Sequence, residues 1–345
     1  IPAGNGFQAR TIGHLELAAG KEKTVEWRVL PDDKTASFLH IWLPEGCAGS
    51  AQQLAVALIP PRDAPDETVY SSIGHYLDWE RDGIPFARIY HHQADPRDPA
   101  IDNDGKSRKR EHILLALRPT ETDCNEPHLS PAGLWLIRIK NCGTSTLDVD
   151  LMVQRDDTIG HRRRSGRQSY LESHCYQRYD PVSGRFIVKD DPKCPPIRRE
   201  GSLNAYAASC DPIVVGGYRW TDGTAADYTA SGPLAAGRHG PDLAAISETS
   251  PSHRGMLAAG TYAHAVKAQR GTSVAAPAFV RALAGEIASG GNLESLMDEL
   301  RDREKKPIQG PHEPYEKLAD GDRKRLGAGR LKPASAPPNR RRIDT

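Results

Sequence analysis

The chain has 345 residues, enough for two domains with sizeable cores, and its 46 basic and 45 acidic residues leave a formal net charge of +1. No whole-chain field therefore recruits nucleic acid or an anionic membrane, and no apolar run approaches the roughly 18 residues of a bilayer-spanning helix. Aromatic content is low at 6%, and 31 glycines with 27 prolines make the chain rich in turns without the glycine period of collagen.

The chain opens Ile1-Pro2-Ala3-Gly4-Asn5-Gly6, without Met and without a basic-then-apolar signal pattern. It reads as a processed product or a fragment, and this end says nothing about compartment. Residues 15–158 read as an all-β module. Thr24–Leu30, Ser37–Leu43, Leu54–Pro60, Phe86–His92, His112–Pro119, Leu134–Asn141 and Leu147–Arg155 are short apolar or alternating runs between turn signals. That density predicts an antiparallel sandwich.

Residues 159–200 read as a connection. Its basic run His161-Arg162-Arg163-Arg164-Ser165-Gly166-Arg167 lacks interleaved aromatics and reads as a solvated loop. From 201 to 290 the pattern is α/β. Ile213–Gly217 is a short strand ending in glycines, and Leu243–Ile246 and Leu257–Gly260 are further apolar pieces. Ala275, Ala276, Phe279, Val280, Leu283 and Ile287 recur at helical spacing, which predicts a helix over 272–288 stopped by Ser289-Gly290-Gly291. A charged helix is expected over about 292–306, and 333–345 reads as a disordered tail. The six cysteines (47, 124, 142, 175, 194, 210) form no Cys-x-x-Cys pair, which argues against structural zinc; disulfides and free thiols both stay open.

Gly271-Thr272-Ser273-Val274-Ala275-Ala276-Pro277 is the most specific string in the chain. A serine at the mouth of a helix has its hydroxyl and its N–H in the field of the helix N-terminus, which suits a nucleophile whose attack creates an oxyanion. Gly271 admits close approach of a substrate backbone. Pro277 is expected within the first helical turn, where no hydrogen bond is lost. The competing reading is an ordinary core helix capped by Thr272 or Ser273.

The string resembles the nucleophile motif of the subtilisin-like serine proteases, with Val274 in place of the usual Met. Ala3-Gly4-Asn5-Gly6 is similar to that family's oxyanion-hole segment and stands in the correct chain order. Weaker matches lie between them: Ser202–Ala205 with Ile213–Gly217, Tyr228-Thr229-Ala230-Ser231-Gly232-Pro233, Gly240-Pro241-Asp242-Leu243-Ala244-Ala245 and Leu326-Gly327-Ala328-Gly329-Arg330-Leu331.

The resemblance implies a serine endopeptidase in which Ser273 is the nucleophile and Asn5 donates to the oxyanion. Ala3 and Gly4 would line the S1 wall, and Gly271 and Thr272 would contact substrate. It implies a truncated three-layer α/β core, residues 1–14 and 201–332, with a jelly-roll-like sandwich inserted between them. The family's Asp-x-Gly and His-Gly-Thr-His motifs are absent from this sequence. The resemblance thus implies a missing N-terminal segment, in cis or in trans, that supplies the base and its carboxylate. The expected partner is a protein or peptide substrate, not nucleic acid or a membrane. No cofactor is implied; calcium is common in the family, but no ligand cluster marks a site for it. His239, His253, His161 and His264 read as ordinary loop histidines, and His75, His91 and His92 lie in the β module without a metal motif. Two alternatives stand beside the protease: a pseudoprotease that binds peptides without cutting them, and a peptide- or carbohydrate-binding module using Trp27, Trp42, Trp79, Trp135, Tyr76 and Tyr90.

Overall fold

The computed structural model describes residues 1–44, 52–62, 68–94, 110–122, 128–155, 166–194, 196–207, 209, 211–233, 237–250, 255–304, 316, 318 and 320–331. They form two compact units. One is Arg10–Gln177 with Asp190–Arg198; the other is Ile1–Ala9, Arg178–Lys189 and the described part of Arg199–Thr345.

Among the described residues the first unit has eleven strands: β1 (Ile12–Leu17), β2 (Glu22–Val29), β3 (Ser37–Trp42), β4 (Leu54–Ile59), β5 (Tyr76–Arg81), β6 (Ile84–Ala94), β7 (Arg110–Leu117), β8 (Gly133–Asn141), β9 (Leu147–Val153), β10 (Tyr170–Glu172) and β11 (Ile197–Arg198). Seven make one sheet in the order β11-β1-β9-β3-β7-β6-β5, and four make another in the order β10-β2-β8-β4. All pairings in both are antiparallel.

Period-2 patterning decides which face is core. In the larger sheet Leu39, Ile41, Ile89, Ile113, Leu115, Val149 and Leu151 point inward; Val25, Trp27, Val56, Leu58, Trp135 and Ile137 face them from the smaller one, all in one buried cluster. Trp27 and Trp135 are direct cross-strand partners and wholly buried, so neither can stack on a ligand. Tyr76 and Tyr90 are exposed, with the Arg88 guanidinium 4.5 and 5.5 Å from their ring centres. A disulfide joins Cys175 to Cys194, while Cys142 is a free, exposed thiol. Cys47, Cys124 and Cys210 lie outside the described residues.

The second unit holds a parallel pair, β12 (Val215–Arg219) and β13 (Leu243–Glu248), and an antiparallel pair, β14 (Met256–Ala259) and β15 (Val266–Gln269). Three helices follow among the described residues: α1 (Thr272–Ala288), α2 (Leu293–Glu304) and α3 (Asp320–Leu326). Val215, Leu243, Ala245, Ala275, Phe279, Leu296 and Leu300 make its main core.

The expected three-layer α/β core is overturned. The chain is mostly β, in several antiparallel sheets, and among the described residues only β12 and β13 form a parallel ladder, lengthened by isolated bridges from Pro2 to Val215 and from Ala244 to Arg330. The physical reason lies in the small residues of 201–332. Ser202–Ala207 carries no β-branched residue, and it turns through a short 3-10 segment at Ala205–Ala207 instead of adding a strand. Among the described residues Leu257–Ala259 pairs only with the equally exposed β15. The expected apolar face of α1 is also narrower than its spacing suggested. Ala275 and Phe279 are buried, but Val280 and Ile287 are about 60% exposed.

The units differ from the expected boundaries too. Residues 159–200, read as a connection, contribute β10 and β11 to the two sheets, and 178–189 belong to the second unit. Residues 161–165 of the basic run and the tail 333–345 lie outside the described residues.

Candidate active site

The site lies wholly in the second unit and starts from its first seven residues. The Ala3 N–H donates to the Val215 carbonyl at 2.9 Å and the Val215 N–H to Ile1 at 2.8 Å, so residues 1–3 run alongside β12. Asn204 fixes the same segment from another side, its N–H donating to the Ala3 carbonyl and its Nδ2 to the Pro2 carbonyl. Gly4 accepts from the Ala230 N–H, and the Phe7 N–H donates to the Tyr228 carbonyl. Ala3 itself is wholly buried in a small cluster with Leu203, Ala207, Val214 and Ala230. Gly4 has φ of +110°, and a Cβ there would lie 3.2 Å from the Asn204 nitrogen, so only glycine suits the position.

This anchored segment carries Asn5 to the start of α1. Asn5 Oδ1 accepts the Thr272 N–H at 2.9 Å and the Thr272 hydroxyl at 3.1 Å. The Thr272 Oγ1 accepts in turn from the Gly4 N–H at 3.1 Å. The helix is therefore not capped by its own Thr or Ser. Its N-cap residue is Gly271, which has no side chain to offer, and the capping acceptor arrives from 267 positions away. Gly271 sits at φ of +125°, and a Cβ on it would lie 3.1 Å from Asn5 Nδ2. Its N–H donates to the Tyr228 hydroxyl at 3.0 Å.

Ser273 is exposed at the second helical position, where its N–H has no intrahelical acceptor. With Oδ1 engaged, the Asn5 Nδ2 makes no hydrogen bond among the described residues, and neither does Ser273 Oγ. The arrangement places a hydroxyl, an unpaired backbone N–H and an exposed amide side chain around one helix N-terminus. Pro277 lies at the sixth helical position, beyond the expected first turn, and so removes the donor that would otherwise bond the Ser273 carbonyl.

No histidine among the described residues is hydrogen-bonded to Ser273. His239 and His264 are exposed, and His161 and His253 lie outside the described residues. A Ser–His–carboxylate chain does exist in the other unit, and its position argues against catalysis. Ser71 Oγ is 2.9 Å from His91 Nδ1, and His91 Nε2 is 2.7 Å from Glu111. All three are at most 3% exposed. Ser71 Oγ also accepts the Val56 N–H, and Glu111 accepts the Gln53 and Leu54 N–H groups. The group ties β4 to β6 and β7 through satisfied buried bonds and has no access for a substrate.

No family model matches the chain, and no curated protein matches it. Its fold is similar to that of a protease. The solved structure is the Clostridium perfringens CspB protease, with a TM-score of 0.59 and 15% sequence identity. The likeness covers 96% of this chain and 57% of that one, so the chain spans little more than half of that protease's length.

Sequence reasoning missed Tyr228 and Ser247 as parts of this site. In the sequence Tyr228 stands out only as the first residue of a family-like loop, and nothing in its spacing signals that its hydroxyl reaches Gly271.

Proposed function

We propose that the chain carries the nucleophile half of a subtilisin-type serine endopeptidase. The observation that carries the reading is the pairing of Asn5 with Thr272, beside an exposed Ser273 at a helix N-terminus. A capped core helix requires no such partner from the far end of the chain. The fold likeness to a protease supports the same reading.

In this reading Ser273 Oγ attacks the carbonyl carbon of a peptide bond, and its proton passes to a general base. The Asn5 Nδ2 and the Ser273 N–H hold the oxyanion as the C–O bond forms. Collapse breaks the C–N bond, and the base returns the proton to the leaving amine. Water then attacks the acyl-enzyme in the same way, releasing the acid and restoring Ser273. The base and its orienting carboxylate come from polypeptide outside the described residues. Gly4 and Gly271 leave room for the substrate backbone, while Thr272, expected to contact substrate, is wholly buried and serves to hold Asn5.

A second reading, the pseudoprotease, is favoured by one observation: no described histidine meets Ser273. A fluorophosphonate probe on the full-length gene product, with peptide mapping, separates the two. Labelling at Ser273 that is lost in Ser273→Ala supports the protease. Peptide binding without any labelling supports the pseudoprotease.

A further inference from the structure

We infer that Tyr228 is a positioning residue for the nucleophile turn, an inference that rests on the protease reading above. Its hydroxyl is the middle of a directional chain of hydrogen bonds. The Gly271 N–H donates to the Tyr228 hydroxyl at 3.0 Å, the Tyr228 hydroxyl donates to Ser247 Oγ at 2.9 Å, and Ser247 Oγ donates to the Tyr218 carbonyl at 3.3 Å. The chain runs from the residue two before the nucleophile, through β13, to the backbone of β12. The hydroxyl has one hydrogen, so donating to Ser247 leaves its oxygen lone pairs for Gly271. Burial pushes the phenol up to about 12, so it stays protonated at any working pH.

The same residue holds the other half of the site. The Tyr228 carbonyl accepts the Phe7 N–H at 3.3 Å, two residues beyond Asn5. One residue thus anchors both strands of backbone that meet at the Asn5–Thr272 contact, through its hydroxyl on one side and its carbonyl on the other. Gly271 needs such an anchor because its φ of +125° lies where only glycine moves freely, and an unrestrained glycine there loses most conformational entropy on ordering. Ser247 is wholly buried, so the far end of the chain is rigid.

Tyr228→Phe removes the hydroxyl and leaves the ring and the backbone bond to Phe7. In the full-length gene product, the maximal rate of fluorophosphonate labelling at Ser273 (kinact) should fall about tenfold with the half-saturating concentration KI unchanged. The Gly271 amide should exchange with solvent about tenfold faster, while amides of β12 and β13 keep their protection. A merely structural role would lower melting temperature without that split between kinact and KI. Ser247→Ala, which removes the acceptor of the Tyr228 hydroxyl and so frees that hydroxyl to rotate, should show the same effects more weakly and serves if Tyr228→Phe does not fold. Wild-type kinact in Tyr228→Phe, with or without faster Gly271 exchange, overturns this inference and leaves the protease reading standing. Absence of labelling in the wild-type protein overturns the protease reading and takes this inference with it.

Discussion

Asn5 Oδ1 accepts two hydrogen bonds from Thr272, one from its N–H at 2.9 Å and one from its hydroxyl at 3.1 Å, across 267 positions of sequence. That contact does two jobs that can be separated. The carboxamide oxygen caps α1, and the nitrogen stays available beside Gly271, at the mouth of the helix that carries Ser273.

Gly271→Ala should damage the site without touching the core. Alanine is strained at φ of +125°, at a cost of about 1–2 kcal/mol, and its methyl would press on Asn5 Nδ2. The expected outcome is a fall in melting temperature of several degrees and a loss of Ser273 labelling larger than that destabilisation explains. Labelling that merely tracks the folded fraction would contradict it.

Ser71→Ala should leave Ser273 labelling unchanged, because the Ser71–His91–Glu111 chain is structural. Glu111→Ala should be costly for stability. It strands the Gln53 and Leu54 N–H groups and His91 Nε2 in the core, for a loss of about 3 kcal/mol or more by denaturant titration. A near-neutral Glu111→Ala would show that water or a rearranged β4 replaces the carboxylate.

Three histidines cross the outer face of the larger sheet. His92 Nε2 lies 2.9 Å from His112 Nδ1, His112 Nε2 lies 3.0 Å from His40 Nδ1, and His40 Nε2 lies 3.3 Å from Gln154 Oε1. The Gln154 oxygen only accepts, so His40 Nε2 is the donor at that end of the row. Burial first, then His92, His40, Arg110 and His91, push His112 down to about 3; burial, then His91, lowers His92. A folded-state pKa below the unfolded value means the unfolded chain binds more protons at acid pH. The stability linked to His112 and His92 is fully present above about pH 6.5 and is lost as pH falls from there, toward about 3 for His112, with a slope for His112 of at most about 1.4 kcal/mol per pH unit. Urea midpoints from pH 7 to 4 check this, and His112→Phe should flatten the slope. An unchanged slope in that variant would move the effect to other groups.

The Cys175–Cys194 bridge closes a loop with a sequence separation of 19. Loop-closure entropy puts its contribution at about 3 kcal/mol, so a Cys175→Ser, Cys194→Ser double variant should lose that much, seen as a lower denaturant midpoint. A midpoint equal to that of the wild-type protein under non-reducing conditions would contradict the bridge.

Legibility in the sequence followed the length scale of the interactions. The long period-2 runs of β2, β3, β4, β7, β8 and β9 and the 3.6-period run of α1 carry their own signal. β1 is interrupted by Gly13 and His14, β5 is an edge strand of mostly polar residues, and β10 and β11 are three and two residues long. Such pieces are strands only because a neighbour pairs with them. The α/β expectation rested on the residue pattern as well as on resemblance, and it failed where small residues could not sustain more strands. Asn5 and Ser273 were picked out by motif, but their neighbours Tyr228 and Ser247 act through three-dimensional contacts that no spacing encodes.

The most direct test of the account compares Asn5→Asp with Asn5→Ala, read by thermal melting and by fluorophosphonate labelling of Ser273 in the full-length gene product. Asn5→Asp keeps the acceptor for Thr272 and adds negative charge at a helix N-terminus, so its stability should match the wild-type protein, whereas Asn5→Ala should lose about 1 kcal/mol. Both remove the amide donor, and both should slow labelling by about 10²–10³-fold, the size of losing one such donor in a subtilisin. Labelling of Asn5→Asp at the wild-type rate would contradict the account and leave Asn5 as a helix cap alone.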